Sequence, residues 1–420
     1  MSTTETEKTI RAMASEAKIA SVTLRTISSG AKNVALLAMA DALLSRSAEI
    51  FEANERDVTN AANKGLTGAL LDRLKLSQKK LNSMADGCRQ VAALPDPINR
   101  VLSGERRPNG LFIEQIRVPL GVIAVIFESR PNVTVDAAIL ALKAGNSIIL
   151  RGGSEAIETN RTLANIIREA AVENGIPAGA IQFVDSTDRE ASKIMATLDE
   201  YIDLIIPRGG EGLKKALTSV ATVPVIFAAG GICHVYVDEF ADIQMANDIV
   251  FNAKTSSPSV CNALETLLVH RQIAEEFLPV SSARLTAHGA TLRGDERAKS
   301  LVPNMESATE DDWSAEYLDL TLAVKIVDSP EEAMAHIAKY GTAHSEAIVT
   351  KDIERAEQFL AGVDAAAVYV NASTRFSDGY EFGLGAEVGI STQKLHSRGP
   401  MGLDSLTTTK FIVRGNGQVR

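Results

Sequence analysis

The feature that most constrains this chain is an alternation, after Gly104, between short apolar runs and longer stretches with helical periodicity. Residues 121–127 form a continuous apolar run, which is typical of a strand buried on both faces of a parallel sheet. A helix is predicted after Pro131 with a stop at Gly145, and residues 147–150 form the next buried strand. Because parallel strands need helical crossovers, the pattern predicts a doubly wound parallel sheet.

The alternation continues to residue 221 and starts again near Cys233. Further strands of the first stretch are predicted at 181–184 and 202–206, with helices at 188–199 and 211–221. In the second stretch the predicted strands are 234–237, 264–269, 322–327, 346–349 and 367–370, separated by helices at 242–254, 330–340 and 352–361. Since 420 residues exceed one ordinary core, the two stretches are predicted to be separate α/β domains.

Three other regions differ in character from these domains. Residues 8–94 have helical periodicity, and residues 111–118 alternate apolar and polar side chains as an antiparallel strand does. Residues 372–402 are rich in glycine and polar residues and have little periodicity. A loop of that length inside a compact chain is usually functional.

Composition and charge exclude several classes of protein. Apolar residues make up 45% and charged residues 23% of the chain, which is globular composition. The net charge of -10 argues against nucleic-acid partners and anionic membranes, because both repel acidic proteins. The N-terminus lacks the order of a signal peptide, and the three cysteines form no CxxC pair. We therefore expect a cytoplasmic protein without a membrane span or a disulfide framework.

Two strand-to-helix turns are candidates for binding a phosphate group. The dinucleotide fingerprint GxGxxG is absent, but Arg151, Gly152, Gly153 and Ser154 stand where a buried strand turns into a helix. Glycines let backbone N–H groups approach an anion there, and a helix N-terminus favours negative charge. Residues 207–212 form a second turn of the same kind. On sequence alone, either one can equally be a plain turn.

Cys261 is the candidate nucleophile. It stands at the end of a loop that leads into a predicted strand, and a thiolate in such a place can form and release a thioester. The alternative from spacing alone is a buried structural cysteine, as for Cys88 and Cys233. The six histidines show no metal-ligand spacing, so no metal site is predicted.

A series of motifs extends along the chain from about residue 10 to residue 413. They are Phe127–Asn132, Ile206–Gly210, Cys233–Asp238, Asn252–Thr255, Pro258–Asn262, Val370–Phe376, Phe382–Glu387, Ser391–His396 and Arg398–Gly402. Together these motifs resemble the γ-glutamyl phosphate reductase family of the aldehyde dehydrogenase superfamily. The motifs after residue 381 are specific to this family, and they favour a catalytic role for Cys261.

The resemblance implies an aldehyde dehydrogenase-like fold: two doubly wound α/β domains plus a small β oligomerisation element. Residues 10–108 and 120–232 would bind NADP(H), residues 233–375 would form the catalytic domain, and residues 109–119 and 400–420 the oligomerisation element. It also implies a homo-oligomer that uses NADPH to reduce γ-glutamyl phosphate in proline biosynthesis. A transient contact with glutamate kinase is a further implication.

The resemblance also assigns cofactor-binding residues. Arg151 occupies the position of a lysine near the adenosine ribose, where a cation suits the 2′-phosphate of NADPH. Gly209 and Gly210 occupy a turn near the pyrophosphate, and Glu316 falls where the superfamily has a glutamate that holds the nicotinamide ribose. The superfamily binds its cofactor without GxGxxG, which accounts for the missing fingerprint.

For catalysis, the resemblance predicts that Cys261 attacks the γ-carbonyl of the substrate. The oxyanion would be held by donors such as the Cys261 N–H and Asn132. Because the substrate is anionic, arginines are candidate anchors for it. These arginines are Arg130, Arg208, Arg375 and Arg398.

Two alternatives to this function are considered. The first is an aldehyde-oxidising dehydrogenase that hydrolyses its thioester; here residues 228–231 stand where such enzymes carry Glu-Leu-Gly-Gly, without the glutamate that activates water. The second is a non-catalytic homologue that only binds glutamate kinase. Its support is Ser256-Ser257, which replaces a Gln-Arg pair common in the family.

Overall fold

The computed structural model describes residues 3–66, 71, 73–128, 130–228 and 230–420. Ser129 of the Phe127–Asn132 motif, Ala229 of the 228–231 stretch, and residues 67–70 and 72 of the predicted helical region lie outside the described residues. The chain divides into two compact units. The first contains the chain up to Ala228, with Gly383–Gly389 and Met401–Arg420, and the second contains Ala229–Phe382 and Ile390–Pro400. The sequence placed this division between residues 232 and 233.

The described part of the first unit contains eight α-helices. Their bounds are α1 (Thr3–Leu24), α2 (Ser29–Ser45), α3 (Ser47–Asn63), α4 (Gln78–Ala93), α5 (Asn132–Lys143), α6 (Ile157–Glu173), α7 (Glu190–Ala196) and α8 (Glu211–Thr218). Serine side chains cap two of them: Ser28 accepts a hydrogen bond from the Ala31 N–H at α2, and Ser77 from the Lys80 N–H at α4. The predicted helical character of the N-terminal region is confirmed for its described residues.

The strands of the first unit form a parallel sheet and a small antiparallel sheet. Their bounds are β1 (Val101–Arg106), β2 (Phe112–Pro119), β3 (Val122–Phe127), β4 (Ser147–Arg151), β5 (Ile181–Phe183), β6 (Leu204–Arg208) and β16 (Thr407–Arg414). In the described part of this unit the parallel sheet has the order β5-β4-β3-β6. All six residues of β3 are buried, as its continuous apolar run predicted.

The small antiparallel sheet has the order β1-β2-β16. The sequence predicted an element from residues 109–119 and 400–420, and β2 and β16 lie within those ranges. It assigned residues 101–106 to the cofactor domain, whereas the structure pairs them with β2. The difference arises because β1 is exposed along its whole length, so it carries no apolar alternation that would mark it as a strand.

The second unit contains a larger parallel sheet. Its strands are β7 (Cys233–Val237), β8 (Leu264–His270), β9 (Thr291–Gly294), β10 (Glu306–Ser307), β11 (Thr321–Val327), β12 (Ser345–Val349) and β13 (Ala367–Val370), and a separate short pair joins β14 (Ile390–Ser391) to β15 (Gly399–Pro400). In the described residues the order of the larger sheet is β10-β9-β11-β8-β7-β12-β13. Every neighbouring pair in it is parallel. The predicted fold class, α/β with two parallel sheets, is therefore confirmed.

The helices of the second unit cover this sheet. Their bounds are α9 (Ile243–Thr255), α10 (Arg271–Ala287), α11 (Glu296–Leu301), α12 (Pro330–Tyr340) and α13 (Ile353–Gly362). The sequence did not predict α10, α11, β9 or β10. Within the parts of the chain that the structure describes, no helix is both long and apolar enough to cross a membrane.

A buried ion pair joins the end of α9 to the start of β8. Lys254 Nζ lies 2.7 Å from Glu265 Oε2, and both side chains are fully buried. Burial lowers the pKa of Lys254, and burial raises the pKa of Glu265 to about 7 although Lys254 opposes that rise. Each charge is thus tolerated mainly because the other is present.

We expect Lys254→Met to lower the free energy of unfolding by about 3–5 kcal/mol, because it leaves the Glu265 carboxylate buried without its partner. Removing the cation raises the folded-state pKa of Glu265 further. The loss of unfolding free energy should therefore be larger at pH 8 than at pH 5, because the Glu265 carboxyl group is largely protonated at pH 5. Denaturant unfolding at the two pH values measures the change.

The double variant Lys254→Met/Glu265→Leu should recover most of that loss, since an apolar pair of similar volume often replaces a buried ion pair. A matched control is Lys339→Met, which removes one partner of the exposed Lys339–Glu310 pair and should cost less than about 1 kcal/mol. Equal losses of unfolding free energy for Lys254→Met and Lys339→Met would show that the buried pair contributes no more to stability than an exposed one.

Candidate active site

Cys261 differs from the other two cysteines in its exposure. Cys88 and Cys233 are buried, whereas Cys261 is partly exposed in the loop between α9 and β8. Burial raises the pKa of Cys88 to about 12 and raises the pKa of Cys233 as well, so both remain protonated thiols. A nucleophile must be reachable by its substrate, and Cys261 meets that condition.

The backbone of Cys261 is held by a neighbouring turn in the same unit. Cys233 Sγ donates a hydrogen bond to the Cys261 carbonyl oxygen at 3.2 Å. Gly231 packs directly on that oxygen, and a Cβ atom added at Gly231 would overlap it. Only glycine can occupy this position without moving the Cys261 loop.

Arg375 lies beside the same loop. Its Nε donates to Ser256 Oγ at 3.1 Å, and its Nη1 donates to Asn262 Oδ1. The Asn262 side chain in turn donates to the carbonyl oxygens of Ser377, at 2.9 Å, and of Arg375, at 3.2 Å. Burial lowers the pKa of Arg375, while negative charge at Cys261 and Asp378 opposes that change. The guanidinium is therefore fixed where it can attract an anion bound at Cys261.

Arg398, the other predicted anchor in the C-terminal motifs, belongs to a different cluster of the second unit. Its Nη1 donates to Asp364 Oδ1 at 2.7 Å and its Nη2 donates to the Asp364 carbonyl oxygen at 3.1 Å. Lys394 Nζ also lies 2.6 Å from the Asp364 carboxylate. Asp364 is thus shared by two cations, so the cluster keeps a net positive charge, and Nε of Arg398 is buried without a hydrogen-bond partner among the described residues.

Glu316, predicted as a ribose ligand, contacts the turn that holds Cys261. Its Oε1 accepts a hydrogen bond from the Gly231 N–H at 2.7 Å. This contact was not predicted, because the two residues are 85 positions apart in the sequence.

In the first unit, the predicted phosphate-binding turns share one edge of the parallel sheet. β3, β4 and β6 are parallel neighbours, so their carboxyl ends meet there. This edge carries three groups of predicted residues: Arg151 to Ser154 after β4, Gly209 and Gly210 after β6, and Arg130 and Asn132 after β3.

Arg151 and Arg208 place donors at this edge. Arg151 is 8% exposed, and its Nη2 donates to the Asp188 carbonyl oxygen at 3.1 Å. Burial lowers the pKa of Arg151, whereas Glu155 and Asp188 raise it. Among the described residues, Nε of Arg151 and Nε of Arg208 are buried without a hydrogen-bond partner. Such donors fit an anionic ligand.

A pocket of about 740 Å³ opens beside the Gly153–Ser154 turn. Its lining includes one lysine, Lys64 from the end of α3, and four carboxylates, those of Asp57, Glu128, Glu155 and Glu158. This volume is typical of small-molecule and cofactor sites. The carboxylates suit the hydroxyl groups of a ribose rather than a phosphate, so the pocket fits the nucleoside part of the dinucleotide that the resemblance implies.

Asn132, the predicted oxyanion donor, is exposed at the first position of α5. Its amide donates to Asp136 Oδ2 at 2.8 Å, one helical turn further along. Nearby, Glu128 Oε2 accepts from the Gly210 N–H at 3.3 Å. The catalytic role of Asn132 stays a prediction.

Comparison with known proteins identifies the family of the chain. The aldehyde dehydrogenase family model matches residues 2–296. The γ-glutamyl phosphate reductase of Moorella thermoacetica is 58% identical over 93% of each chain, and that of Syntrophomonas wolfei is 55% identical over 99% of each.

Solved structures give the same relationship. The crystal structure of γ-glutamyl phosphate reductase from Thermotoga maritima matches with a TM-score of 0.95 at 48% identity, covering 98% of this chain and 99% of that one. An acetylating aldehyde dehydrogenase from Geobacillus thermoglucosidasius shares the fold, with a TM-score of 0.72 at 20% identity, over 100% of this chain and 99% of that one. This chain has the aldehyde dehydrogenase fold, and it belongs to the γ-glutamyl phosphate reductases of the aldehyde dehydrogenase family.

Proposed function

We propose that this enzyme reduces γ-glutamyl phosphate to glutamate 5-semialdehyde and phosphate, with NADPH as the reductant and Cys261 as the nucleophile. The reaction is a step of proline biosynthesis. The observation that carries the proposal is the Cys261 loop, in which the cysteine is partly exposed and the neighbouring Ser256 and Asn262 bind the Arg375 guanidinium. Identities of 55–58% to reductases over nearly the whole chain support the choice of substrate.

The proposed chemistry begins at the Cys261 sulfur. The thiolate bonds to the γ-carbonyl carbon, the bond from that carbon to the phosphate oxygen breaks, and phosphate leaves with its electron pair. A γ-glutamyl thioester remains on Cys261. The nicotinamide cofactor, when bound, supplies the hydride that reduces this thioester to the aldehyde. Phosphate is a good leaving group, so no strong general acid is needed.

The residues around the thiol have separate tasks in this proposal. Arg375 attracts the phosphate or carboxylate of the substrate, and Asn262 fixes the orientation of Arg375. The Cys261 N–H stabilises the oxyanion. Residues 228–231 provide no carboxylate that could activate water, and the Glu316 carboxylate at this turn is engaged by the Gly231 N–H, so we propose that the thioester is protected from hydrolysis.

The cofactor-binding residues belong to the first unit. We propose that the Gly152–Ser154 turn, with Gly209 and Gly210, presents N–H groups to the pyrophosphate. Arg151 would hold the 2′-phosphate that distinguishes NADPH from NADH. Its unpartnered Nε supports this assignment.

We also propose a homo-oligomer that associates through the small β1-β2-β16 sheet. Phe411 and Val413 of β16 are 67% and 53% exposed, which is unusual for apolar side chains without a covering surface. A transient contact with glutamate kinase and a location in the cytoplasm complete the proposal.

Cys261→Ser is expected to lose nearly all turnover, by several orders of magnitude, because a serine hydroxyl without a paired base is a weak nucleophile. The assay is phosphate-dependent NADP+ reduction with glutamate 5-semialdehyde. Cys88→Ala, which changes a buried thiol of the other unit, serves as the control and should keep its activity. Turnover of Cys261→Ser within a few-fold of wild type would exclude Cys261 as the nucleophile.

Arg151→Ala should raise the KM for NADPH about 10- to 150-fold and that for NADH much less, because only NADPH has the phosphate that a guanidinium can bind. Arg161→Ala is a matched control, since Arg161 is engaged by Asp185 and Glu158 on the surface of α6. Equal effects on both cofactors would show that Arg151 is structural.

Arg375→Ala should lower kcat/KM for phosphate and for the semialdehyde about 10- to 150-fold, the range for a lost charge-assisted contact. Arg398→Ala should have a smaller effect, because both terminal nitrogens of Arg398 already donate hydrogen bonds to Asp364. Steady-state kinetics of both variants, with the KM for the cofactor as an internal reference, decides the point. A larger effect at Arg398 would move the anion site to the Asp364 cluster.

A further inference from the structure

The position of the Cys261 loop depends on the Gly230–Gly231 turn. Gly231 lies against the Cys261 carbonyl oxygen so closely that no other residue fits, and the next strand begins with Cys233, whose thiol donates to the same oxygen. A shift of this turn therefore shifts the nucleophile.

Side chains rather than a strand ladder hold this turn in place. Glu316 Oε1 accepts the Gly231 N–H at 2.7 Å, and Thr342 Oγ1 accepts the following N–H, of Ile232, at 3.0 Å. The second carboxylate oxygen of Glu316 lies along Gly230, where an added Cβ would approach it to 2.5 Å. Glu316 thus spans both glycines of the turn.

Glu316 is itself held from the interior of the unit. Two residues further on, Leu318 has a φ of +53°, a conformation that a non-glycine residue adopts only when its surroundings enforce it. The Leu318 N–H donates to Glu265 Oε1 at 3.2 Å, and the other oxygen of Glu265 bonds to Lys254. The buried ion pair therefore fixes the segment that carries Glu316.

We propose that Glu316 is a positioning residue for Cys261 and that it acts through the Gly231 N–H before any cofactor binds. The Lys254–Glu265 pair supports it through the Leu318 backbone. The inference rests on the proposed function, because it takes Cys261 as the nucleophile. It differs from a ribose-binding role, which would leave the cofactor-free enzyme unaffected.

The test measures acylation of Cys261 without any nicotinamide cofactor. The probe is 4-nitrophenyl acetate: the thiolate bonds to the acetyl carbon, the ester C–O bond breaks, and 4-nitrophenolate leaves and is followed by its absorbance. The step involves no oxidation or reduction. Cys261→Ser gives the background rate.

Two variants of Glu316 distinguish the effect of side-chain length from the effect of the negative charge. Glu316→Asp keeps the charge but is one methylene shorter, so it cannot reach the Gly231 N–H; acylation should slow at least about 10-fold. Glu316→Gln keeps an oxygen acceptor at the same reach without the charge, and it should rescue the rate to within about three-fold of wild type. Asp311→Asn, which also removes one negative charge and lies at an exposed position five residues before Glu316, is the control and should not alter the rate.

The outcomes distinguish this proposal from the proposed function. If the wild type is acylated no faster than Cys261→Ser, both the positioning role of Glu316 and the nucleophilic role of Cys261 are wrong. If the wild type acylates but Glu316→Asp matches or exceeds it, Cys261 remains the nucleophile and the positioning role is wrong. Loss in Glu316→Gln, with or without loss in Glu316→Asp, would also overturn it, since a hydrogen-bond acceptor would then not suffice. Should Glu316→Asp fail to fold, Glu316→Ala replaces it with the same expected loss.

Discussion

The parallel alignment of strands is the constraint on which the rest of this structure depends. In a parallel sheet all amino ends lie at one edge and all carboxyl ends at the other, whatever the distance in sequence between neighbouring strands. In the first unit this places the turns after β3, β4 and β6 side by side. Backbone N–H groups and two arginines meet at that edge, as in other open α/β sheets that bind ligands.

In the second unit, the candidate site residues lie at the amino ends of the parallel strands. Gly231 precedes β7, Cys261 precedes β8, Glu316 precedes β11 and Thr342 precedes β12. Because the sheet order is β11-β8-β7-β12, these four residues come from neighbouring strands although more than 100 positions separate the first from the last. Because these strands are neighbours, the side chains of Glu316 and Thr342 can accept hydrogen bonds from the backbone N–H groups that precede β7. These hydrogen bonds hold the turn against which the Cys261 loop packs.

Much of this organisation follows from the sequence, and the limits have physical reasons. The buried strands at 121–127 and 147–150 and the helices between the strands were predictable from periodicity, because burial on two faces requires continuous apolar runs. The proposed catalytic role of Cys261 rests on long motifs of the family and stays a prediction. Strand β1 was missed because its side chains are exposed. The sequence also did not predict the elements between residues 271 and 307, which are α10, β9, α11 and β10.

Contacts within the site were beyond sequence reasoning for a different reason. Glu316 with Gly231, Asn262 with Arg375, and Lys254 with Glu265 are joined by sheet order and loop conformation rather than by spacing. The pair of glycines at 230 and 231 is compatible with a close approach of the backbone, but the sequence analysis drew no contact from it. Lys254 was likewise not predicted to be buried or paired, although a buried lysine requires a partner.

The central claim is that the substrate becomes covalently bound to Cys261. Mass spectrometry of enzyme mixed with glutamate 5-semialdehyde and NADP+ in phosphate-free buffer tests this claim most directly. The account predicts that one γ-glutamyl group is added, on the peptide that contains Cys261, and that added phosphate removes it. Turnover without any adduct at Cys261, or an adduct on a different residue, would contradict the account.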